Sequence, residues 1–138
     1  MLLEAQRKLA TDRQERRDRM GAPVVRFEIM GGKGNQLEDF YKKLFGWKID
    51  SNNPMRYGMV ETGTPGGING GVGLSQDGKN RVSVYIEVDD LDAILANAEK
   101  LGGKIILPSS QVPGGPRLAM FADPAGNISG LLGKRVGQ

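Results

Sequence analysis

The sequence predicts an α+β domain made of two tandem β-α-β-β-β units, and three observations carry that prediction. First, strand-like alternation passes into a helical periodicity and then into short strands, and this order occurs twice. Second, the halves match in order. Arg26-Phe27-Glu28-Ile29 aligns with Ser83-Val84-Tyr85-Ile86, and Gly46-Trp47-Lys48-Ile49 with Gly103-Lys104-Ile105-Ile106, both at an offset of 57 residues. Arg56-Tyr57-Gly58-Met59-Val60 aligns with Arg117-Leu118-Ala119-Met120-Phe121 at an offset of 61. Third, 21 of the 138 residues are glycine, which favours many tight turns and close backbone approaches over a helical bundle.

The elements follow in order. From 24 to 30, Val25, Phe27 and Ile29 point one way and Arg26 and Glu28 the other, the mark of a strand. A helix is expected over Leu37–Phe45, with Asn35 as its cap, Leu37, Phe40, Tyr41 and Leu44 at helical spacing, and Gly46 as its stop. Short strands are read at Trp47–Ile49, Arg56–Glu61 and Gly70–Leu74. The second unit opens on a strand over Arg81–Val88, with Val84, Ile86 and Val88 opposed to Ser83, Tyr85 and Glu87. Asp90 caps a helix over Leu91–Leu101 whose Leu91, Ile94, Leu95 and Ala98 turn inward, and Gly102-Gly103 ends it. Strands at Lys104–Leu107, Arg117–Phe121 and Asn127–Leu132 complete the unit.

Residues 1–22 form a charged N-terminal extension, helical or disordered, ahead of a domain over 23–134 with units 23–75 and 80–134. Within the extension, Arg7, Lys8, Arg13, Arg16, Arg17 and Arg19 outnumber Glu4, Asp12, Glu15 and Asp18, and Leu2, Leu3 and Leu9 give only a thin apolar stripe. One reading is a frayed extension or an overcalled start; the other is a helix that packs on a partner subunit. The extension holds most of the net charge of +3, so the rest is nearly neutral and gives no electrostatic case for nucleic acid. No run is apolar enough to span a membrane, and the start lacks a signal-peptide core, so the chain is read as cytoplasmic. With no cysteine, disulfides and thiolate metal sites are excluded.

Several motifs sharpen this outline. Phe40-Tyr41-Lys42-Lys43-Leu44-Phe45-Gly46-Trp47, Tyr85-Ile86-Glu87-Val88-Asp89-Asp90-Leu91-Asp92 and Phe121-Ala122-Asp123-Pro124-Ala125-Gly126-Asn127 together resemble the vicinal-oxygen-chelate superfamily of glyoxalases, bleomycin-resistance proteins and extradiol dioxygenases, over roughly 24–134. The resemblance implies half-barrel sheets around a cleft. In metal-dependent members it places ligands at the positions of Arg26, Ser83 and Gly130, none of which suits a transition metal; the chain has no histidine at all. The expectation is therefore no metal and no cofactor. An oxygen-only site built from Glu28, Glu61 and Glu87 is the alternative.

By alternation, Arg26, Glu28, Ser83, Tyr85 and Glu87 face the cleft. Arg26 and Glu28 either close the old cavity as an ion pair, or Arg26 anchors a carboxylate or phosphate with Ser83 and Tyr85 as hydroxyl contacts. Trp47, Tyr57, Met59 and Met120 either line the cleft as an adaptable apolar wall or belong to the core. The glycine-rich stretches Gly63–Gly67 and Pro113–Pro116 read as rims. Without histidine no Ser-His-acid triad exists, leaving Glu28 or Glu87 as the conceivable general base. The function expected is a metal-independent small-molecule binder acting as a homodimer. The alternatives are a lyase, isomerase or dioxygenase-like enzyme, and a regulatory protein that docks through its N-terminal helix.

Overall fold

The computed structural model describes residues 1–19 and 21–134. A leading helix, α1 (Leu2–Arg19), is followed by β1 (Val24–Gly31), α2 (Gly34–Phe45), β2 (Lys48–Asp50), β3 (Gly58–Glu61) and β4 (Asn69–Leu74). The same order returns as β5 (Arg81–Val88), α3 (Leu91–Lys100), β6 (Lys104–Gln111), β7 (Arg117–Ala122) and β8 (Ile128–Gly133). All eight strands join one curved, unclosed sheet in the order β2-β3-β4-β1-β5-β8-β7-β6. Each unit pairs its first and last strands in parallel, β1 with β4 and β5 with β8. The units meet along an antiparallel seam between β1 and β5. They therefore pair within one chain, a point the sequence leaves open.

Alternation along the strands divides the sheet into two faces. On one face, Phe27, Ile29, Ile49, Val60 and Val72 pack with Leu37 and Tyr41 of α2. In the second unit, Ile86, Val88, Ala119, Phe121 and Leu131 pack with Leu91, Ile94 and Leu95 of α3. Burying such side chains stabilises each layer by roughly 1.5–3 kcal/mol per residue. The residues between them in sequence are left on the opposite, helix-free face.

The helix ends show where local rules hold and where they give way. Gly46 adopts φ 69° and its N–H donates to the Lys42 carbonyl at 2.9 Å, ending α2 as expected. The Asp90 side chain accepts from the Ala93 N–H at 3.1 Å and caps α3. Asn35 is not a cap, because α2 begins at Gly34 and its first backbone bond runs from Leu37 N–H to the Lys33 carbonyl at 3.1 Å. Leu37 and Tyr41, four residues apart, turn inward, whereas Phe40 and Leu44 stay exposed on the flank.

The third strand starts at Gly58 and not at Arg56, since Arg56 takes the left-handed φ of 51° and interrupts the extended run. Leu2–Arg19 are helical, with Leu2, Leu3 and Leu9 exposed. No helix among the described residues is long and apolar enough to cross a membrane.

Candidate functional site

The helix-free face is built outward from the central seam. Across it, Arg26 lies opposite Tyr85 and Glu28 opposite Ser83. On their other sides, Glu28 lies opposite Gly71 and Tyr85 opposite Gly130. These two glycines form pits in the sheet. The Tyr57 ring lies in the first, where a Cβ on Gly71 would collide with it, and the Tyr85 ring lies in the second over Gly130.

Both phenols converge on Glu28. Tyr57 Oη donates to Glu28 Oε2 at 2.7 Å, and Tyr85 Oη lies 3.2 Å from Oε2 and 3.3 Å from Oε1. Burial pushes both phenols well above the usual tyrosine range, and the Glu28 charge raises them further while Arg26 opposes the rise. They therefore remain neutral donors around one carboxylate acceptor.

Arg26 does not close the cavity as an ion pair with Glu28. Its Nη2 donates to the Gly70 carbonyl at 2.7 Å, and among the described residues ion pairs form only at Arg81–Asp77 and Lys134–Asp89. The guanidinium turns to the neighbouring strand, and phenols occupy the carboxylate. Ser83 is 4% exposed and its Oγ has no hydrogen-bond partner, so a buried polar atom beside Glu28 is left unsatisfied. Met59 lies opposite Gly71 and Met120 opposite Gly130, which sets one methionine on each flank of the tyrosine pair. Glu87 extends the same face, opposite Leu132.

Trp47 is not part of this face. It stacks on Tyr41 at 5.4 Å with planes 8° apart and meets Phe27 at 5.3 Å, on the side covered by α2. Its place just after the α2 stop turns it onto the helix, so it belongs to the core. The Pro113–Pro116 turn, closed by a Val112 N–H to Pro116 carbonyl bond of 3.1 Å, lines a cavity of about 660 Å³ beside Asp90 at the start of α3. A second cavity of about 500 Å³ lies between Met30, Lys33 and Val82. Neither is lined by Glu28, whose cluster lies on the open helix-free face.

The donor set does not fit the metal that the resemblance implies. Arg26 is a permanent cation, Gly130 has no side chain, and the Tyr85 ring fills the space above it. Among the described residues no three His, Cys, Asp or Glu side chains are gathered for an ion, so Glu28, Glu61 and Glu87 do not form the oxygen-only site.

Sequence reasoning missed Asn53. Its Nδ2 donates to the Tyr57 carbonyl at 2.6 Å and its Oδ1 accepts from the Tyr57 N–H at 2.9 Å. This two-way clamp, next to left-handed Arg56, aims Tyr57 at Glu28. Glycines at alternate positions, Gly71 and Gly73, were the available signal that a large side chain lies across this strand.

Comparison with known proteins agrees with this geometry at the level of family. The sequence profile of the Glyoxalase-like domain matches residues 32–131. Anthracycline biosynthesis protein DnrV of Streptomyces peucetius is 32% identical over 133 residues, an alignment covering 84% of this chain and 48% of that protein. The chain thus spans about half the length of the curated relatives matched across most of it. Among solved structures, a glyoxalase/bleomycin resistance protein/dioxygenase superfamily member from Vibrio splendidus superimposes with a TM-score of 0.57 at 15% identity, covering 83% of this chain and 100% of that one. Methylmalonyl-CoA epimerase from Mycobacterium tuberculosis gives 0.56 at 14% identity, covering 85% and 94%. At such identities the structures speak for the fold, and the profile match for the lineage: the chain belongs to the Glyoxalase-like domain family, within the vicinal-oxygen-chelate superfamily.

Proposed function

We propose that this chain is a metal-independent small-molecule-binding protein that holds its ligand on the helix-free face, over Glu28. The observation that carries the reading is the convergence of Tyr57 and Tyr85 on Glu28, with the Tyr85 ring in the space where the resemblance puts a metal ligand. Three further features support it. The Ser83 Oγ is an unpaired polar atom inside the face. Met59 and Met120 offer adaptable apolar walls. Arg26 adds a cation close enough to oppose the Glu28 charge at both phenols. The relative named for anthracycline biosynthesis fits a small organic ligand. In this reading residues 23–134 form the binding domain, two copies make a homodimer, and no cofactor takes part.

The test is metal content by elemental analysis on untagged protein, run beside native mass and a ligand screen read by methionine methyl NMR. The expected result is a dimer with less than about a tenth of an equivalent of metal, and ligands that move the Met59 and Met120 methyls. Stoichiometric metal, or ligands that instead move the Trp47 side of the sheet, would overturn the reading. Turnover that survives chelator and is lost in Glu28→Gln would replace it with the lyase or isomerase alternative.

A further inference from the structure

From the Glu28 cluster we infer the ligand's chemical class: a neutral hydroxyaromatic compound whose phenol takes the place of Tyr57 on Glu28. The inference rests on the helix-free face being the binding face.

Tyr57 is itself a phenol bound in a site. Its ring lies on bare backbone at Gly71 and passes so close to Gly73 that a side chain there would crowd it, and its hydroxyl donates to Glu28 Oε2 at 2.7 Å. Removed from its backbone, it describes a flat aromatic pit with a carboxylate at its end. A phenolic ligand meets both requirements. Glu28 disfavours an anionic group there, and Arg26, whose charge reaches both tyrosines, disfavours a cationic one. Met59 opposite Gly71 borders the pit with a soft apolar wall.

Tyr57 is also placed to leave. It belongs to no strand, being the residue before β3, and it is carried on a turn whose Arg56 holds a left-handed φ of 51°. For a residue with a Cβ that conformation is strained, and surrounding contacts must maintain it. Those contacts are the Asn53 clamp behind and Glu28 ahead. In the second unit Leu118 stands at the equivalent position, inside β7 and paired with Leu132, so only the first unit carries a displaceable phenol.

The experiment uses the full chain and simple probes. In Tyr57→Ala, 4-methylphenol at millimolar concentration raises the melting temperature by several degrees while toluene does not, and Glu28→Gln in that background abolishes the difference. In the wild-type chain 2-naphthol binds at least tenfold more tightly than 2-methoxynaphthalene, and Tyr57→Phe tightens 2-naphthol severalfold, because the outgoing ring no longer holds the carboxylate. The Tyr57→Phe arm keeps the ring, so the test stands if Tyr57→Ala does not fold. Hydroxy and methoxy probes that bind alike, insensitive to Glu28→Gln but still moving the Met59 methyl, overturn the phenol assignment and leave the binding face intact. Probes that leave Met59 and Met120 unmoved overturn both.

Discussion

The two units offer the same pits and fill them differently. Glu28 and Tyr85 stand at equivalent positions, opposite Gly71 and Gly130. In the second unit the central residue is its own filler: Tyr85 folds its ring over the glycine facing it. In the first unit the central residue is a short carboxylate that leaves its pit open, and Tyr57 enters from a turn. A duplicated fold thus supplies two like cavities, and divergence at two positions, Glu28 against Tyr85 and Tyr57 against Leu118, turns the pair into a single acceptor with two donors. One tyrosine is built into a central strand and 7% exposed; the other is held by a clamp.

That contrast predicts its largest effect at the glycines. Gly130→Ala drives a Cβ into the Tyr85 ring, which has no way out of a central strand, and is expected to cost about 2–3 kcal/mol by urea denaturation. Gly71→Ala presses on Tyr57, whose turn swings aside at the expense of its bond to Glu28, so the cost falls only to about 1.5 kcal/mol. Combining Gly130→Ala with Tyr85→Ala recovers more than about 1 kcal/mol relative to additivity, because the clash disappears with the ring. Equal costs at the two glycines would erase the distinction between fixed and displaceable phenols.

The hydroxyls sharpen the comparison in the opposite sense. Tyr57 makes the shorter bond, 2.7 Å against 3.2 and 3.3 Å for Tyr85. Tyr57→Phe is therefore expected to destabilise by about 1.5 kcal/mol, and Tyr85→Phe by about 0.5 kcal/mol. Denaturant midpoints of the two variants, measured side by side, check the order. A larger loss at Tyr85 would mean that Glu28 is held mainly from the second unit.

How much of this was legible in the sequence divides along similar lines. The doubled β-α-β-β-β order was legible because period-2 alternation in Val24–Met30 and Arg81–Val88 and the glycine stop at Gly46 are local signals. The face shared by Arg26, Glu28, Ser83 and Tyr85 was legible for the same reason, since alternation alone fixes it. Partner choice was not. Arg26 sits two residues from Glu28, which invites an ion pair, yet its guanidinium donates to the Gly70 carbonyl on β4, remote in sequence. Trp47 was ambiguous because a residue at a helix-to-strand turn has no strand parity to assign its face. Gly130 read as a missing ligand, and only the register of β5 on β8 shows which ring uses the gap.

The last expectation concerns alkaline pH, where the two phenols act together. Unfolded tyrosines lose their protons near pH 10. In the fold, burial and then the Glu28 charge raise both Tyr57 and Tyr85 above that value. Above about pH 10 the unfolded chain therefore binds fewer protons at these positions than the native one, so unfolding free energy falls as pH rises. Below pH 10 both states keep these protons and the pair contributes no slope. Urea midpoints are expected to be level from pH 8 to pH 9.5 and to decline from pH 10 to pH 11.5. Replacing Tyr57 with Phe removes part of the decline, and replacing Tyr85 as well removes most of what remains. If the ligand reading is right, 2-naphthol displacing Tyr57 into solvent brings that phenol back toward its ordinary range. Tyrosinate absorbance near 295 nm then rises at lower pH in the complex than in the free protein, beyond any contribution from naphtholate itself. An unchanged tyrosinate titration on saturation would show that Tyr57 stays on Glu28 and that the ligand binds beside it.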